Sequence, residues 1–388
     1  MSSDKLDELA IENFREYLRI PSVQPNVNYD DCVIFIKKQA KSLDLPVKVF
    51  EIFPGKPIVV ITWEGFEPEK PSILLNGHMD VVPVYLDQWK YPPFAAHMDE
   101  KGDIYGRGSQ DMKSVSIQYI ESIRRLKLNG IRLKRTIHIS FVPDEEIGGK
   151  DGMEAFVATQ DFKNLDIGFA LDEGIPYPTE SFILFYGERS KWDVWIHCSG
   201  QPGHGSLMSE NNSGEKFYKV IDRFMKFRDA EKKKLQDPKI KPGDVTSVNL
   251  TMVKELSVGF DIRIAPDVDH KKFENMIKSW CEEAGQDVSY QILTKNRPVE
   301  NTKLDENNIF WVAFKNACDD ANLELEPIIC PGGTDARYVR KVGIPALGFT
   351  PANNTSLLLH DNNERLNKDV FLRGIDIYMK IIPAVANA

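Results

Sequence analysis

Apolar residues follow helical and strand periodicities in alternation through the first part of the chain. Residues 4–19 and 30–43 have the spacing of amphipathic helices, and short apolar runs follow at 46–52, 57–63 and 72–76. Further along, the pattern predicts a helix that begins at Asp111, a strand over 135–142, a helix near 150–159 and a strand over 166–171. Strands that alternate with helices are typical of a mostly parallel α/β sheet.

A different order of elements begins after about residue 186. The pattern predicts the order β-α-β-β-α-β, with elements at 191–198, 213–234, 246–253, 257–264, 270–284 and 287–293. This is the order of the ferredoxin-like split motif. The alternation of helices and strands then resumes, with a helix over 306–322, a strand over 344–349 and a helix over 367–383.

The simplest architecture for this pattern is a discontinuous α/β domain that is interrupted by a smaller domain. We predict that residues 1–186 and 300–388 form the mostly parallel α/β domain. Residues 187–299 are predicted to form an inserted ferredoxin-like α+β domain. A chain of 388 residues is too long for one compact core, which also favours two domains.

Composition and charge narrow the class of protein. The 49 basic and 58 acidic residues give a net charge of −9, which argues against non-specific binding to nucleic acid. The first eight residues are polar and acidic, and no run approaches the roughly 18 apolar residues of a membrane span. The five cysteines are scattered, as expected for reduced thiols. We therefore predict a cytoplasmic protein with no nucleic-acid or membrane partner.

Five short stretches carry acidic residues or histidines where a predicted strand ends or a helix begins. They are Asn76–Asp80, Gly108–Lys113, Pro143–Gly148, Leu171–Gly174 and Leu359–Asp361. Open α/β sheets place their sites at such positions. Zinc binds His nitrogen and carboxylate oxygen, and two ions about 3.5–4 Å apart need roughly five protein ligands, one of them a shared carboxylate. Together the stretches predict a two-metal hydrolase site.

Several of these residues have a simpler interpretation when each is taken alone. His78 and Asp80 can belong to a polar loop after a strand, and Asp111 can be an acid favoured by the dipole of the helix that it begins. His360 can be an exposed or capping residue. In the metal hypothesis, Asp80 fixes the tautomer of His78 and Asp111 bridges two cations.

Two pairs of adjacent acids follow predicted strands. Glu145 and Glu146 repel each other, so a buried pair needs cations or a raised pKa. Because neighbouring side chains point in different directions, one of them can bind metal while the other faces substrate as a proton shuttle. The simpler interpretation is a solvated turn. Of Asp172 and Glu173, we expect only one to be a ligand.

Arg337 and His204 are further candidates for contact with a ligand. Arg337 lies in the glycine-rich segment Pro331–Tyr338, where its guanidinium can hold a substrate carboxylate through two hydrogen bonds or form a surface ion pair. His204 lies in the predicted insert and matters only if that domain folds over the site. The remaining histidines are expected to be structural or surface residues, and they are His97, His138, His197 and His270.

The whole pattern resembles the aminoacylases of the dinuclear zinc family that includes acetylornithine deacetylases and glutamate carboxypeptidase. The resemblance runs over nearly the whole length of the chain. It extends to stretches with no obvious chemistry, such as Ile264–Asp269 and Val370–Tyr378. The Glu at position 173 fits the acylase and carboxypeptidase branch rather than the aminopeptidase branch.

The resemblance implies a ligand set for two zinc ions per chain. His78, Asp111 and Glu173 would bind one ion. Glu146 and His360 would bind the other, with the Asp111 carboxylate as the bridge.

The resemblance also implies catalytic and substrate-binding roles. Asp80 would orient His78, and Glu145 would be the general base. Arg337 would hold the carboxylate of the substrate amino acid. In this family the insert is a lid and dimerisation domain, and its histidine, here His204, would stabilise the oxyanion in the site of the partner subunit.

The implied activity is zinc-dependent hydrolysis of N-acyl-L-amino acids by a homodimer. The alternatives are a dipeptidase or carboxypeptidase of the same family, or a non-catalytic homologue. One departure favours the last of these. The family carries a longer, substrate-binding connection between the two middle strands of the lid, whereas Val253–Ser257 joins these strands almost directly.

Overall fold

The computed structural model describes residues 2–200, 212–254 and 256–388. These residues form two compact units. The first unit contains Met1–Tyr186, Thr302–Pro327 and Thr334–Ala388, and the second contains Gly187–Asn301 and Ile328–Gly333.

Helices and strands alternate along most of the chain. The helices are α1 (Ser3–Leu18), α2 (Asp30–Ser42), α3 (Lys113–Leu128), α4 (Gln160–Lys163), α5 (Ser213–Lys234), α6 (His270–Ala284), α7 (Ile309–Asp320), α8 (Ala336–Lys341) and α9 (Lys368–Ala386). The first strands are β1 (Val47–Phe53), β2 (Lys56–Trp63), β3 (Ser72–His78), β4 (His97–Met98), β5 (Asp103–Tyr105), β6 (Ile137–Val142), β7 (Ile167–Asp172) and β8 (Phe182–Glu188). The later strands are β9 (Ser190–Cys198), β10 (Ser247–Lys254), β11 (Ser257–Ile264), β12 (Val288–Lys295), β13 (Leu325–Cys330), β14 (Ala346–Phe349) and β15 (Arg365–Asn367).

The main sheet has eight strands in the order β1-β2-β6-β3-β7-β14-β8-β13. Its four middle strands, from β6 to β14, pair in parallel, while β1 and β2 add to one side as antiparallel strands. The predicted mixed α/β fold with a mostly parallel central sheet is confirmed. A small sheet, β15-β5-β4, was not predicted, because strands of two or three residues show no periodicity.

Both faces of the main sheet are covered by apolar side chains. Every residue of β3 is buried, with Ile73 and Leu75 in one core cluster and Leu74 in another. The first cluster includes residues of α1, α3 and α9, and the second includes Phe156 and Val339. Successive side chains on a strand point to opposite faces, so a continuous apolar run suits a strand that is covered on both sides.

Parallel pairing brings the carboxyl ends of the middle strands to one edge of the sheet. His78, the last residue of β3, pairs with Val142 of β6, and Leu75 of β3 pairs with Leu171 of β7. The residues that follow these strands are therefore neighbours in space, although they are far apart in sequence. This edge is where open α/β sheets hold their ligands.

The helix predicted near 150–159 is irregular. It begins as a short π-helical turn, Lys150–Glu154, in which Gly152 has φ −105° and ψ −113°. A Cβ atom on Gly152 would lie 2.0 Å from the carbonyl oxygen of Pro143. The close approach of these two backbone segments is the physical reason for the glycine and for the irregular turn.

The second unit contains β9, α5, β10, β11, α6 and β12 in chain order, with the sheet order β10-β11-β9-β12. Adjacent strands of this sheet are antiparallel. One face carries the core, in which the rings of Phe224 and Phe260 stack at 3.9 Å. Lys254 pairs with Ser257, so β10 and β11 form a tight hairpin.

No helix in the described parts of the chain combines the length and the apolar character needed to cross a membrane.

His138 should make the stability of the first unit depend on pH. It is buried on β6, its Nδ1 atom lies 2.9 Å from the Thr62 hydroxyl, and burial lowers its pKa to about 4. Its pKa in the unfolded chain is about 6.5, so the unfolded chain binds more protons between these values. The free energy of unfolding should fall by up to about 3 kcal/mol as the pH drops from 6.5 to 4.

Urea titrations from pH 7 to pH 4.5 would measure this effect. We expect a shallower decline in stability for His138→Gln than for the wild type. Ile137→Val, on the same strand, is the control and should lower stability by a similar amount at each pH. Equal pH slopes for His138→Gln and the wild type would contradict the assignment.

Candidate metal centre

His78 ends β3 with its imidazole almost fully buried. Its Nε2 atom lies 2.9 Å from an Asp111 carboxylate oxygen and 3.3 Å from a Glu173 carboxylate oxygen. Its Nδ1 atom lies 2.9 Å from the main-chain carbonyl oxygen of Asp80. A proton on Nδ1 would therefore be donated to this carbonyl, which leaves Nε2 to face the two acids.

The Asp111 carboxylate lies between two imidazoles. One oxygen is 2.9 Å from Nε2 of His78, and the other is 3.1 Å from Nε2 of His360. Asp111 lies just before α3, whereas His360 lies in the loop between β14 and β15, where it adopts a φ of +60°. A carboxylate that offers one oxygen to each side has the geometry of a bridging ligand.

Glu146 completes the side of the site on which His360 lies. Its side chain is 4% exposed, and Oε2 lies 3.1 Å from Nε2 of His360. The other oxygen, Oε1, is buried and has no hydrogen-bond partner among the described residues. A buried carboxylate oxygen is costly without a partner, so this atom is suited to a cation.

Asp80 is fully buried, and its carboxylate holds the turn that carries the two glutamates. Its oxygens accept hydrogen bonds from the main-chain N–H groups of Glu145 and Glu146, both at 3.1 Å. The nearer carboxylate oxygen is 3.6 Å from Nδ1 of His78, a longer contact than that of the Asp80 carbonyl. Asp80 therefore contacts His78 mainly through its main chain and the glutamate turn through its side chain.

Arg337 lies beside Glu145, with Nη1 3.8 Å from Oε1 of that carboxylate. Its Nη2 atom donates a hydrogen bond of 3.0 Å to the carbonyl of Gly148, and its guanidinium lies 4.6 Å from the centre of the Tyr338 ring. The Tyr338 hydroxyl donates to the same Gly148 carbonyl. These contacts fix the direction of the guanidinium next to the acidic cluster.

Other predicted residues lie outside the cluster or outside the described residues. Asp172 is buried behind the site, where Asn76 donates to it at 3.1 Å, and its neighbour Glu173 is the residue that faces His78. His204 lies outside the residues that the structure describes.

Several buried residues that support the site were not predicted from the sequence. Gln24 donates hydrogen bonds to Asp80 at 2.8 Å and to Asp144 at 2.9 Å. Asp144 also accepts from Tyr29 and pairs with Lys56, and so anchors the turn before Glu145. The Gln24 and Tyr29 contacts join segments 56 to 120 residues apart, which no local pattern reveals.

The acids of the cluster repel one another strongly. Burial and the charge of Asp111 raise the pKa of Glu173 well above its ordinary value and raise that of Glu146 to about 7. Burial and the charge of Asp335 likewise raise the pKa of Glu145. Hydrogen bonds to Asp111 and Glu146 raise the pKa of His360 to about 10. The cluster thus favours added positive charge, as protons or as cations.

The donor set fits metal ions. One atom from each of His78, Asp111 and Glu146 lies within 4.8 Å of the others, and the same holds for His78, Glu145 and Glu173. Imidazole and carboxylate groups are ligands of zinc and other divalent metals. The structure therefore contains a candidate metal site at the carboxyl edge of the main sheet.

The sequence of this chain is similar to a known protein family and to several known proteins. The sequence matches peptidase family M20/M25/M40 over residues 74–384. It is 50% identical to aminoacylase-1 of Mus musculus over 97% of this chain and 95% of the mouse protein. It is 49% identical to aminoacylase-1 of Homo sapiens, with the same coverage. It is 44% identical to aminoacylase-1 of Dictyostelium discoideum over 96% of this chain and 97% of that protein.

Solved structures of low sequence identity share the fold. An M20 family metallo-carboxypeptidase from Sulfolobus solfataricus has a TM-score of 0.74, 18% identity and complete coverage of both chains. A dinuclear metal-binding M20 peptidase from Bacillus subtilis has a TM-score of 0.66 and 14% identity, with 99% of this chain and 98% of that chain covered. The resemblance inferred from the sequence is confirmed, and the chain belongs to peptidase family M20/M25/M40.

Proposed function

We propose that this protein hydrolyses N-acyl-L-amino acids to a carboxylate and a free L-amino acid, with two zinc ions per chain. The observation that carries the proposal is the Asp111 carboxylate between His78 and His360. The proposal is also supported by the 44–50% identity of this chain to aminoacylase-1 over nearly its whole length. Glu173 would complete the ligands on the His78 side, and Glu146 would complete those on the His360 side.

Bound zinc would supply Lewis acidity toward the amide carbonyl and would lower the pKa of water toward about 7. Glu145 would take a proton from the attacking water and pass it to the leaving nitrogen. Burial and the Asp335 charge raise the pKa of Glu145, which suits a group that must both accept and release a proton. Asp80 would hold Glu145 in place through the N–H group that it binds.

Arg337 would bind the α-carboxylate of the substrate. Its side chain is 14% exposed, so the guanidinium can still be reached. The Gly148 carbonyl and the Tyr338 ring already fix its orientation, which reduces the entropy lost on binding. A planar guanidinium can hold a carboxylate through two parallel hydrogen bonds.

We infer that the inserted residues 187–299 act as a lid and dimerisation domain, with His204 as the oxyanion donor. Leu250, Met252 and Val253 of β10 are exposed, and Leu256 in the adjoining hairpin is exposed as well. Such apolar residues at a sheet edge are suited to burial against a second copy of the chain.

A cytoplasmic location is proposed from the buried thiols, such as Cys32, Cys198, Cys281 and Cys318.

An assay with paired substrates tests the reaction. We expect the zinc-loaded protein to hydrolyse N-acetyl-L-methionine faster than a dipeptide with carboxy-terminal methionine. The two substrates distinguish the activities, because a dipeptidase needs a free amino group that the acetyl substrate lacks. Metal analysis of the same sample should find about two zinc ions per chain. Preference for the dipeptide would favour the peptidase alternative, and absence of turnover in zinc-loaded protein would favour the non-catalytic one.

Adjacent glutamates should differ in role. Glu145→Gln should keep its zinc and lose turnover by about 10²–10⁴-fold, because an amide cannot accept the proton. Glu146→Gln should lose zinc, since it removes a ligand charge beside His360. Each variant is the matched control of the other, measured by metal content and by turnover at saturating zinc. Identical behaviour of the two variants would contradict this division of roles.

Arg337→Lys should reduce the preference for a free α-carboxylate. Lysine keeps the charge but lacks the planar fork, so the ratio of kcat/KM for N-acetyl-methionine to that for its methyl ester should fall by roughly 10–100-fold. Arg125→Lys, in an ion pair with Asp7 on α1, is the control and should keep the wild-type ratio. A ratio unchanged in Arg337→Lys would show that the guanidinium does not bind the carboxylate.

A further inference from the structure

Glu364 is a buried acid that neither the ligand set nor the proposed reaction uses. It has no exposed surface and lies four residues after His360, just before β15. Its side chain faces the loop over residues 106–111, which ends at the bridging candidate Asp111. The two segments are about 250 residues apart in sequence.

The Glu364 carboxylate accepts hydrogen bonds from the main chain of the loop. Its Oε1 atom accepts from the N–H of Gln110 at 2.6 Å and from the N–H of Asp111 at 3.3 Å. Its Oε2 atom accepts from the N–H of Gly108 at 3.2 Å. These bonds fix the backbone from which the Asp111 side chain extends.

Arg107 neutralises this carboxylate. Its Nη1 atom lies 2.6 Å from Oε2 of Glu364 and 3.1 Å from the carbonyl oxygen of Asp361, the residue after His360. The guanidinium also lies 5.4 Å from the centre of the Trp89 ring. Both partners of this ion pair are buried, so removal of one charge leaves the other uncompensated.

Gln110 makes the reciprocal contacts from the loop to the segment that carries His360. Its Nε2 atom donates to the carbonyls of Ser356 at 3.0 Å and Arg365 at 2.9 Å. Its Oε1 atom accepts from the N–H of Leu358 at 2.8 Å. Side chains from each segment thus bind the backbone of the other on both sides of His360.

We propose that Glu364 is a positioning residue of the metal centre, which aims the Asp111 carboxylate and, with Arg107 and Gln110, sets its distance from His360. The role rests on the proposed metal site. It requires no contact between Glu364 and the metal, because the effect passes through the backbone of the loop. Groups that orient metal ligands commonly change metal affinity by about 10–100-fold when they are replaced.

The alternative is that Glu364 only stabilises the fold. A matched control separates the two roles, because Glu121 is an equally buried acid that pairs with Arg124 at 2.9 Å and accepts from Asn13 at 2.8 Å. Among the described residues, Glu121 bonds with Asn13 and Arg124, which lie on helices outside the ligand-bearing loops, so Glu121→Gln removes the same charge away from the metal centre.

Zinc affinity of the folded proteins is the first measurement, made by competition with a chelator. We expect Glu364→Gln to bind zinc about 10–100-fold more weakly than the wild type, and Glu121→Gln to keep the wild-type affinity. Wild-type affinity in folded Glu364→Gln overturns the proposal, and so does an equal loss in Glu121→Gln.

Hydrogen exchange of metal-free protein is the second measurement, and it does not depend on zinc. Amides of residues 108–111 should exchange about tenfold faster in Glu364→Gln, the ratio for one lost hydrogen bond of about 1.4 kcal/mol. Unchanged exchange there overturns the proposal. A wild type that binds no zinc would contradict the proposed function, while the exchange result would still decide whether Glu364 orders the loop.

Gln110→Met keeps the size of the side chain and provides the test if Glu364→Gln does not fold. It removes the bonds to Ser356, Leu358 and Arg365 without a change of charge. We expect weaker zinc binding in the folded variant, and wild-type affinity would overturn the proposal.

Discussion

Carboxylates at one edge of the main sheet lie close enough to repel one another, and the surrounding backbone has to hold them in place. Asp111, Glu146 and Glu173 converge on the buried imidazole of His78 and the half-exposed imidazole of His360, with Glu145 beside them. Such a cluster is stable only if positive charge enters it and if the backbone holds each acid against its neighbours. The N–H groups bound by Asp80, and those bound by Glu364, provide that restraint.

The fold meets this constraint with parallel strands that are buried on both faces. The ends of β3, β6 and β7 deliver His78, the glutamate turn and Glu173 to adjacent positions, and the loop before α3 delivers Asp111. Because the strands are covered by apolar side chains on both sides, they can be rigid, which keeps the residues at their ends in fixed positions. The irregular backbone at Gly152 lies in the connection between β6 and β7.

Much of the fold and the ligand types could be predicted from the sequence because these signals are local. Apolar runs locate the strands, and acids or histidines at their ends locate the edge that holds the site. The side-chain contacts of Asp80 were not predictable, because they depend on a turn that forms 65 residues later in the chain. The Arg107–Glu364 pair joins residues 257 positions apart, and neither position shows a periodic or motif-like signal. Local patterns therefore indicate which residues carry the chemistry, and tertiary contacts decide what holds them.

The place of β14 in the main sheet has a consequence for how the protein emerges from the ribosome. This strand, Ala346–Phe349, lies between β7 and β8, so the sheet remains open until almost the whole chain has been translated. The strands and helices of Gly187–Asn301 are contiguous in sequence, and this segment can fold while the rest is still being made. During that interval the nascent chain exposes the apolar strand β7 without its final neighbour. His360, which faces Asp111, also lies in this last part of the chain, so the main sheet and the acidic cluster would be completed at the same late stage of synthesis.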